Sequence, residues 1–417
     1  MNAATVVIVA AVAAGVAAPA LAGQTTSPAL LDPHLTIGAG ATISTTLADG
    51  IARAEHEIVP DQLLAGSGML RRSGNVTFRL LKLAFFDAPQ EQLLMVVNHE
   101  VFGHGARLRE RFDGPIGYRI GVPQPYGRGG GSTSFAFDRQ PSRHEVLAIN
   151  VAGMEASAVS AGLVAHHAFS RDALRMRDAL RYLLFELDTL SYVLSTDDAG
   201  EGPGHDVAGF LETYNAIARG SGGSELTIEA LRRQTLASLA NPMLGYALYG
   251  IGRYVWRGAA ETAVPALSIA GVRYLPLLRY RLAPYGVEWA LINELGGRMR
   301  PTQIELRIGR APQSEPWGIG VRQHALITWR QWSMDAAVDI WRQPRLTAET
   351  DRAAGSETSV GAQLRGRVSR PLIPVWFSPA RLTIVVDVSF KTAGFVPGEP
   401  LDRGIVARAG IGLPFGS

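Results

Sequence analysis

The chain has 417 residues, of which 47% are hydrophobic and 18% are charged, and its formal net charge is +3. This composition excludes a disordered chain, and so small a charge excludes the strongly basic surface on which nucleic-acid binding depends. The sequence contains no cysteine, which excludes a disulfide framework, a thiolate metal site and a lipid-modified cysteine. A chain of this length can bury a large core in roughly two or three domains.

The chain begins with an apolar segment rich in small residues, from Ala3 to Ala18. The sequence Pro-Ala-Leu-Ala follows and supplies an A-x-A cleavage site that ends at Ala22. We therefore predict a signal peptide over residues 1–22 and export of a mature chain that begins at Gly23. An uncleaved membrane anchor is the alternative, because no lysine or arginine precedes the apolar segment.

Residues 23–260 are predicted to be mostly helical, with a strand at 75–86. A helix is expected to begin at Pro89 and to end before Gly114, and a glycine-rich irregular connection follows as far as residue 143. Further helices are predicted at 143–169, 171–194, 226–239 and 242–256. The first of these is apolar enough to suggest a membrane span, but Asn150 and Glu155 in its middle favour a helix of a soluble core.

Residues 99–104, within the helix that begins at Pro89, read His-Glu-Val-Phe-Gly-His. Two histidines with a carboxylate beside the first are the ingredients of a hydrolytic zinc site. The imidazoles of His99 and His104 would bind Zn²⁺, and Glu100 would take a proton from the water that the metal activates. Histidines five positions apart lie about 140° apart around an ideal helix, too far to bind one ion. The motif therefore predicts a π-bulge, which Gly103 permits.

The string from His99 to Gly105 resembles the HExxGH motif of the dipeptidyl-peptidase III family of metallopeptidases. In that family two histidines and a glutamate from a second helix hold zinc, and the motif glutamate is the general base. The resemblance implies zinc ligands at His99 and His104 and a catalytic base at Glu100. It covers seven residues, and the family's second motif, which contains a Glu-Glu pair, is not found in this sequence. The resemblance thus implies metal chemistry without dipeptide-releasing specificity.

A third zinc ligand is expected from another helix, and we choose Glu155. It is a lone carboxylate in a neutral segment of small residues, where burial is costly unless the charge is paired or bound to a metal. Gly153 would let this helix approach the motif helix closely. Pairing of Glu155 with a basic side chain is the alternative. Four other residues stay open as ligands, although roles at the two helix ends explain them more simply: His144, Glu145, His166 and His167.

After about residue 265 apolar and polar residues alternate, which indicates antiparallel strands. Eight strands are predicted near 270–282, 286–296, 302–310, 317–329, 332–342, 357–370, 380–393 and 403–415. Strands of about ten residues with one apolar face are typical of transmembrane β-barrels. Phe415, two residues from the end, resembles the aromatic residue that ends the closing strand of bacterial outer-membrane barrels. A soluble sandwich or barrel whose apolar face points inward is the alternative.

The predicted fold class is therefore α+β, with a helical, zincin-like domain over residues 23–260 and an antiparallel eight-stranded β-barrel over residues 265–417. The barrel is predicted to lie in the outer membrane, surrounded by lipid, with the helical domain facing the periplasm.

The predicted function is that of an exported zinc-dependent metallopeptidase. His99, His104 and Glu155 would hold Zn²⁺, and Glu100 would activate water for attack on a peptide bond of a substrate in the cell envelope. No phosphate-binding loop is recognised, so neither a nucleotide nor a nucleic acid is an expected partner. The alternative is a non-catalytic structural or assembly protein of the envelope, in which the His/Glu cluster is a structural metal site or no site.

Overall fold

The computed structural model describes residues 28–65, 67–197, 205–264, 266–297, 300–346, 357–374 and 381–412. The predicted signal peptide and Phe415 lie outside these ranges. The chain is 44% helical and 33% strand, which confirms a protein of mixed helix and sheet. No zincin fold is shown by the described residues.

The helices occupy the first part of the chain. They are α1 (Ile37–Ile58), α2 (Met69–Lys82), α3 (Ala88–Val97), α4 (Gly105–Arg111), α5 (Arg143–Arg171), α6 (Met176–Glu186), α7 (Asp188–Ser195), α8 (Asp206–Ser221), α9 (Ile228–Ala237) and α10 (Pro242–Arg257). The helices predicted at 143–169, 226–239 and 242–256 are confirmed. The segment 171–194 forms two helices, with a break at Leu187.

The strand predicted at 75–86 is wrong, because this segment lies in α2 and in a first π-helical segment, Leu83–Asp87. The buried residues of α2 are Asn75, Arg79 and Lys82, at helical spacing. Lys82 forms buried ion pairs with Glu55 and Asp87. The residues that recur at helical spacing on the buried face are therefore polar, and a pattern of apolar residues alone does not reveal them.

Helix α5 is the central helix of the protein. Among the described residues it is the one helix long and apolar enough to cross a membrane, and 67% of its most apolar 18-residue window is buried inside the protein. Ser142 and Glu145 form a capping box at its beginning. A Cβ atom on Gly103 would lie 2.6 Å from the Cα atom of Gly153, so glycines on both sides let α5 approach the motif helix, as predicted.

One large antiparallel sheet contains ten strands. In spatial order they are β6 (Leu267–Ile269), β7 (Val272–Ala283), β8 (Gly286–Leu295), β9 (Thr302–Arg310), β10 (Trp317–Trp329), β11 (Trp332–Pro344), β12 (Thr358–Pro374), β13 (Arg381–Lys391), β14 (Gly404–Gly412) and β1 (Ala29–Leu31). The eight predicted strands correspond to β7–β14. Separately, β2 (Ile116–Ile120) pairs with β3 (Gly131–Phe135) in a region predicted to be irregular, and β4 (Ala173–Arg175) pairs with β5 (Glu261–Ala263).

The predicted closed eight-stranded barrel is wrong for the described residues, because the sheet of ten strands is open. Helix α5 packs inside the curve of the sheet: His166 contacts Glu294 of β8, and Arg279 of β7 donates to the carbonyl oxygen of Ala158. A closed barrel of about eight strands has room for its own side chains and little else. A helix inside the curve therefore requires a sheet wider than a closed eight-stranded barrel.

The two faces of β9–β14 differ in polarity. The inner face, toward the helices, buries charged and polar side chains: Gln303, Glu305, Arg307, Asp339, Asp387, Lys391 and Arg408. The outer face exposes apolar ones: Leu306, Ile308, Trp317, Met334, Val338, Val360, Leu364, Ile384, Val386, Val388, Phe390, Ile405 and Ile411. On the inner side a cavity of about 160 Å³ is lined by charged residues of the sheet and by α5. This polarity is the reverse of that in a soluble sandwich.

Candidate metal centre

A second π-helical segment, Asn98–His104, carries the motif histidines. Its wider turn brings the rings of His99 and His104 to a centroid separation of 5.0 Å, at an interplanar angle of 63°. Both side chains are buried. The helix distortion predicted from the spacing of the histidines is therefore confirmed.

Asp206, the first residue of α8, completes a group of three candidate ligands with the two histidines. One ligand atom from each residue lies within 4.8 Å of the other two. The Oδ2 atom of Asp206 is 3.0 Å from Nε2 of His99 and 3.2 Å from Nε2 of His104. Ligand atoms on a tetrahedral zinc ion, at bond lengths of about 2.0–2.1 Å, lie about 3.3 Å apart. Two of the three pairs of ligand atoms therefore have nearly the spacing that one zinc ion requires, and the two histidine nitrogens lie within 4.8 Å of each other.

Glu155, the third ligand predicted from the sequence, does not belong to this group. Its two carboxylate oxygens accept hydrogen bonds from Nη2 of Arg107, at 2.7 and 2.8 Å, and one of them accepts from the amide of Gly398. Both side chains of the ion pair are 2% exposed. The alternative stated for Glu155, pairing with a basic side chain, is the arrangement found, and it corrects the predicted ligand set.

Replacing Glu155 by glutamine is expected to lower stability without removing bound metal. The change removes the buried counter-charge of Arg107 and leaves it only the partly exposed carboxylate of Glu110, and breaking a buried pair costs up to about 3–5 kcal/mol. Chemical denaturation would measure the free energy of unfolding, and elemental analysis the metal content. Glu225→Gln is the control, since its exposed pair with Arg219 contributes less than about 1 kcal/mol. Loss of metal from Glu155→Gln that remains folded would contradict the assignment.

The other ring nitrogen of each histidine, Nδ1, also forms a hydrogen bond. Nδ1 of His99 donates to the carboxylate of Asp188 at 3.0 Å, and Nδ1 of His104 donates to the carbonyl oxygen of Ile149 at 2.8 Å. A metal-binding histidine almost always donates its other N–H to a carboxylate or a carbonyl group, which fixes the tautomer and the ring orientation. Both Nε2 atoms are thereby directed toward Asp206 as potential metal-binding atoms.

The charges of the cluster favour a cation at its centre. Burial alone would lower the pKa of His99, but the carboxylates of Asp188 and Asp206 outweigh this effect and hold that pKa well above its ordinary value. Burial alone would raise the pKa of Asp206, but the two imidazoles lower it. In the part of the chain that the structure describes, no lysine or arginine forms an ion pair with these two carboxylates. A divalent metal would supply the positive charge that the imidazoles otherwise take up as protons.

Glu100 lies on the same π-helical segment, against the β2–β3 hairpin. Its Oε2 atom accepts a hydrogen bond of 2.6 Å from the hydroxyl of Thr133, and a Cβ atom on Gly131 would lie 2.9 Å from its Oε1 atom. Burial alone would lower the pKa of His104, but Asp206 and, to a smaller extent, the carboxylate of Glu100 hold that pKa above its ordinary value. The hairpin thus fixes the position of the predicted general base.

Tyr192 of α7 forms one wall of the centre. Its ring stacks on that of His99 with a centroid separation of 5.0 Å and an interplanar angle of 10°. Burial and the nearby carboxylates of Asp206 and Asp188 raise the pKa of its hydroxyl, which therefore stays protonated as a hydrogen-bond donor. The Asp206 side chain is 13% exposed, so solvent reaches the group.

The four alternative ligands lie elsewhere. Glu145 belongs to the capping box and accepts hydrogen bonds from Arg139, and His144 is buried beside it. His166 contacts Glu294 and stacks on His324, and burial holds the pKa of His167 well below its ordinary value. None of them belongs to the group of three among the described residues.

Four residues of the centre were missed by the sequence analysis: Asp206, Asp188, Thr133 and Tyr192. The two aspartates share a recognisable signal, since each is an acidic residue in the first turn of a helix. That signal has a purely local explanation in the helix dipole, so it does not by itself indicate a ligand. Thr133 and Tyr192 carry no signal that distinguishes them from other threonines and tyrosines.

Comparison of the chain with protein-family models gives no match, and neither does comparison with curated proteins or with solved structures. The function must therefore be inferred from the arrangement of the residues.

Proposed function

We propose that this protein is a zinc-dependent hydrolase whose centre is formed by His99, His104 and Asp206, and that it cleaves peptide bonds. One observation carries the proposal: Nε2 of both histidines converges on one carboxylate oxygen, while both Nδ1 atoms are held by acceptors. A donor set of two imidazoles and one carboxylate leaves a fourth position for water, as in catalytic zinc sites.

The residues around the centre suit hydrolysis. A bound zinc ion would supply Lewis acidity and lower the pKa of the attacking water. Glu100 accepts the proton of that water and returns it to the leaving amine. Thr133 donates to Glu100 and holds its carboxylate in place. Tyr192, whose ring stacks on that of His99, carries a protonated hydroxyl that would be a candidate donor to the developing oxyanion of a substrate carbonyl.

The resemblance of residues 99–105 to the dipeptidyl-peptidase III motif supports the roles of His99, His104 and Glu100. It does not extend to the third ligand, because an aspartate at the start of α8 takes the place of that family's glutamate. The substrate class therefore rests on the chemistry of the motif, and no dipeptide-releasing specificity is proposed.

A structural metal site is the second candidate function. The observation that favours it is burial, since the side chains of His99, Glu100 and His104 are all less than 10% exposed. In that case the metal would join the π-helical segment to α8 and would contribute folding energy alone.

Metal analysis and peptide hydrolysis test the proposal together. Purified full-length protein would be assayed for metal content by mass spectrometry and for cleavage of a mixture of internally quenched peptides. We expect a single zinc ion per chain, and we expect activity that a chelator removes and added zinc restores. A chain without metal at neutral pH would overturn the proposal. Protein that binds zinc but hydrolyses none of the peptides would instead show that the metal site is structural.

A further inference from the structure

The outer face of β9–β14 is apolar and exposed over six neighbouring strands. On β13 the side chains of Ile384, Val386, Val388 and Phe390 are between 41% and 57% exposed. Soluble proteins rarely leave a contiguous apolar surface of this extent in water. We infer that a lipid bilayer covers this face, with the hydrocarbon chains of the lipids packed against the strands. The inference is independent of the metal centre.

The inner face of the same strands explains why the apolar side is outside. Arg365 and Asp387 form an ion pair there, and Arg408 binds Asp387 and Glu399. These charges pair with one another beneath the helices, so the inner space needs no apolar side chains from the sheet. Polar residues inside and apolar residues outside are the arrangement of a sheet whose outer solvent is hydrocarbon.

Tryptophan and arginine lie at both ends of the apolar band. At the β10–β11 turn, Arg330 lies 4.9 Å from the ring of Trp329, and Arg370 lies 5.0 Å from the ring of Trp332. At the opposite end Trp317 pairs in register with Arg342. Indole rings and long basic side chains collect at the two membrane–water interfaces, where the rings meet the headgroups and the charges meet phosphate. A second protein copy would require no such pair of belts.

The height of the band also fits a membrane. On β11 the apolar outer residues extend from Trp332 to Ile340, a distance of roughly 27 Å along an extended strand. Strands in membranes tilt by about 35–45°, which reduces this length to a vertical height of about 20 Å. With Arg342 following in the belt at the end of the strand, this height is close to the apolar band of about 25 Å in outer-membrane proteins.

A pair of leucine substitutions tests the inference. Leu364 is 60% exposed in the middle of the outer face, and Leu248 is 62% exposed on α10. Full-length protein in detergent would be mixed with vesicles of phosphatidylethanolamine and phosphatidylglycerol, the detergent removed and the vesicles floated. We expect wild type and Leu248→Arg to float with the vesicles. Leu364→Arg should lower the ratio of bound to unbound protein by at least about tenfold, because arginine inside hydrocarbon is strongly unfavourable.

A measurement on wild type keeps the test valid if Leu364→Arg fails to fold. Lipids brominated on their acyl chains should quench the fluorescence of the native protein, and Trp329→Phe with Trp332→Phe should reduce that quenching. Wild type that stays in water and shows no quenching would overturn the inference. A dimer that forms in water without vesicle binding would do so too, since it would identify the face as a contact between copies. An equal loss of flotation in Leu248→Arg would show that the wrong surface had been assigned.

Discussion

Glu100→Gln is expected to reduce the rate of peptide hydrolysis by about 10²–10⁴-fold, the usual contribution of a general base. Glutamine keeps the size of the side chain and can still accept the hydrogen bond from Thr133, but it cannot take a proton from water. The metal content should be unchanged, because Glu100 is outside the group of three ligands. Two quantities would be measured on the same preparation: kcat on the internally quenched peptide that the wild-type protein cleaves fastest, and the zinc content.

The control for this variant is Thr133→Val, which removes the hydroxyl that holds Glu100 and leaves the carboxylate. Its effect on kcat should be smaller than that of Glu100→Gln and should appear without loss of zinc. If Glu100→Gln retains both zinc and full activity, Glu100 is not the base. If the wild-type protein binds zinc and hydrolyses no peptide, the metal has a structural role. Glu100→Gln will then change neither the zinc content nor the rate of hydrolysis.

Asp206→Ala is expected to lower the affinity for zinc by more than about 100-fold, because loss of an outer partner of a ligand alone costs about 10–100-fold. The change removes the carboxylate on which both Nε2 atoms converge. Competition with a zinc chelator of known affinity would measure the loss. Hydrolysis at limiting zinc should fall in parallel, and a large excess of zinc should restore part of it.

Asp113→Ala is the matched control for this loss, since Asp113 is an exposed aspartate with no contact to the histidines. Its zinc affinity should equal that of wild type. Asp206→Ala that binds zinc with wild-type affinity would contradict the ligand set. Together with Glu155→Gln, which should retain zinc, this variant decides between the two carboxylates proposed as third ligand.

The motif and its distortion could be predicted because both are local. The residue types of His99, Glu100 and His104 point to metal chemistry, and the spacing of the histidines on a helix of known geometry requires a wider turn. The eight strands β7–β14 were predictable for the same reason, since a period of two is visible within ten residues. The helix α2 was not, because its buried face is polar and depends on partners such as Glu55 and Asp87.

The third candidate ligand could not be predicted, because the choice between two carboxylates depends on distant contacts. Asp206 is 102 residues from His104 in the chain, and nothing in its neighbourhood distinguishes it from other acids at helix starts. A buried charge such as that of Glu155 needs a partner, and the partner is Arg107, 48 residues away, rather than a metal.

The sequence by itself determined the two motif histidines and the distortion of their helix, the positions of the strands and the alternation of their two faces. Only the tertiary structure decided which carboxylate joins the histidines, that the sheet stays open around α5, and that its apolar face is the outer one. The physical reason is the same in each case. Periodicity describes one element at a time, whereas the direction that a face or a side chain takes depends on the element packed against it.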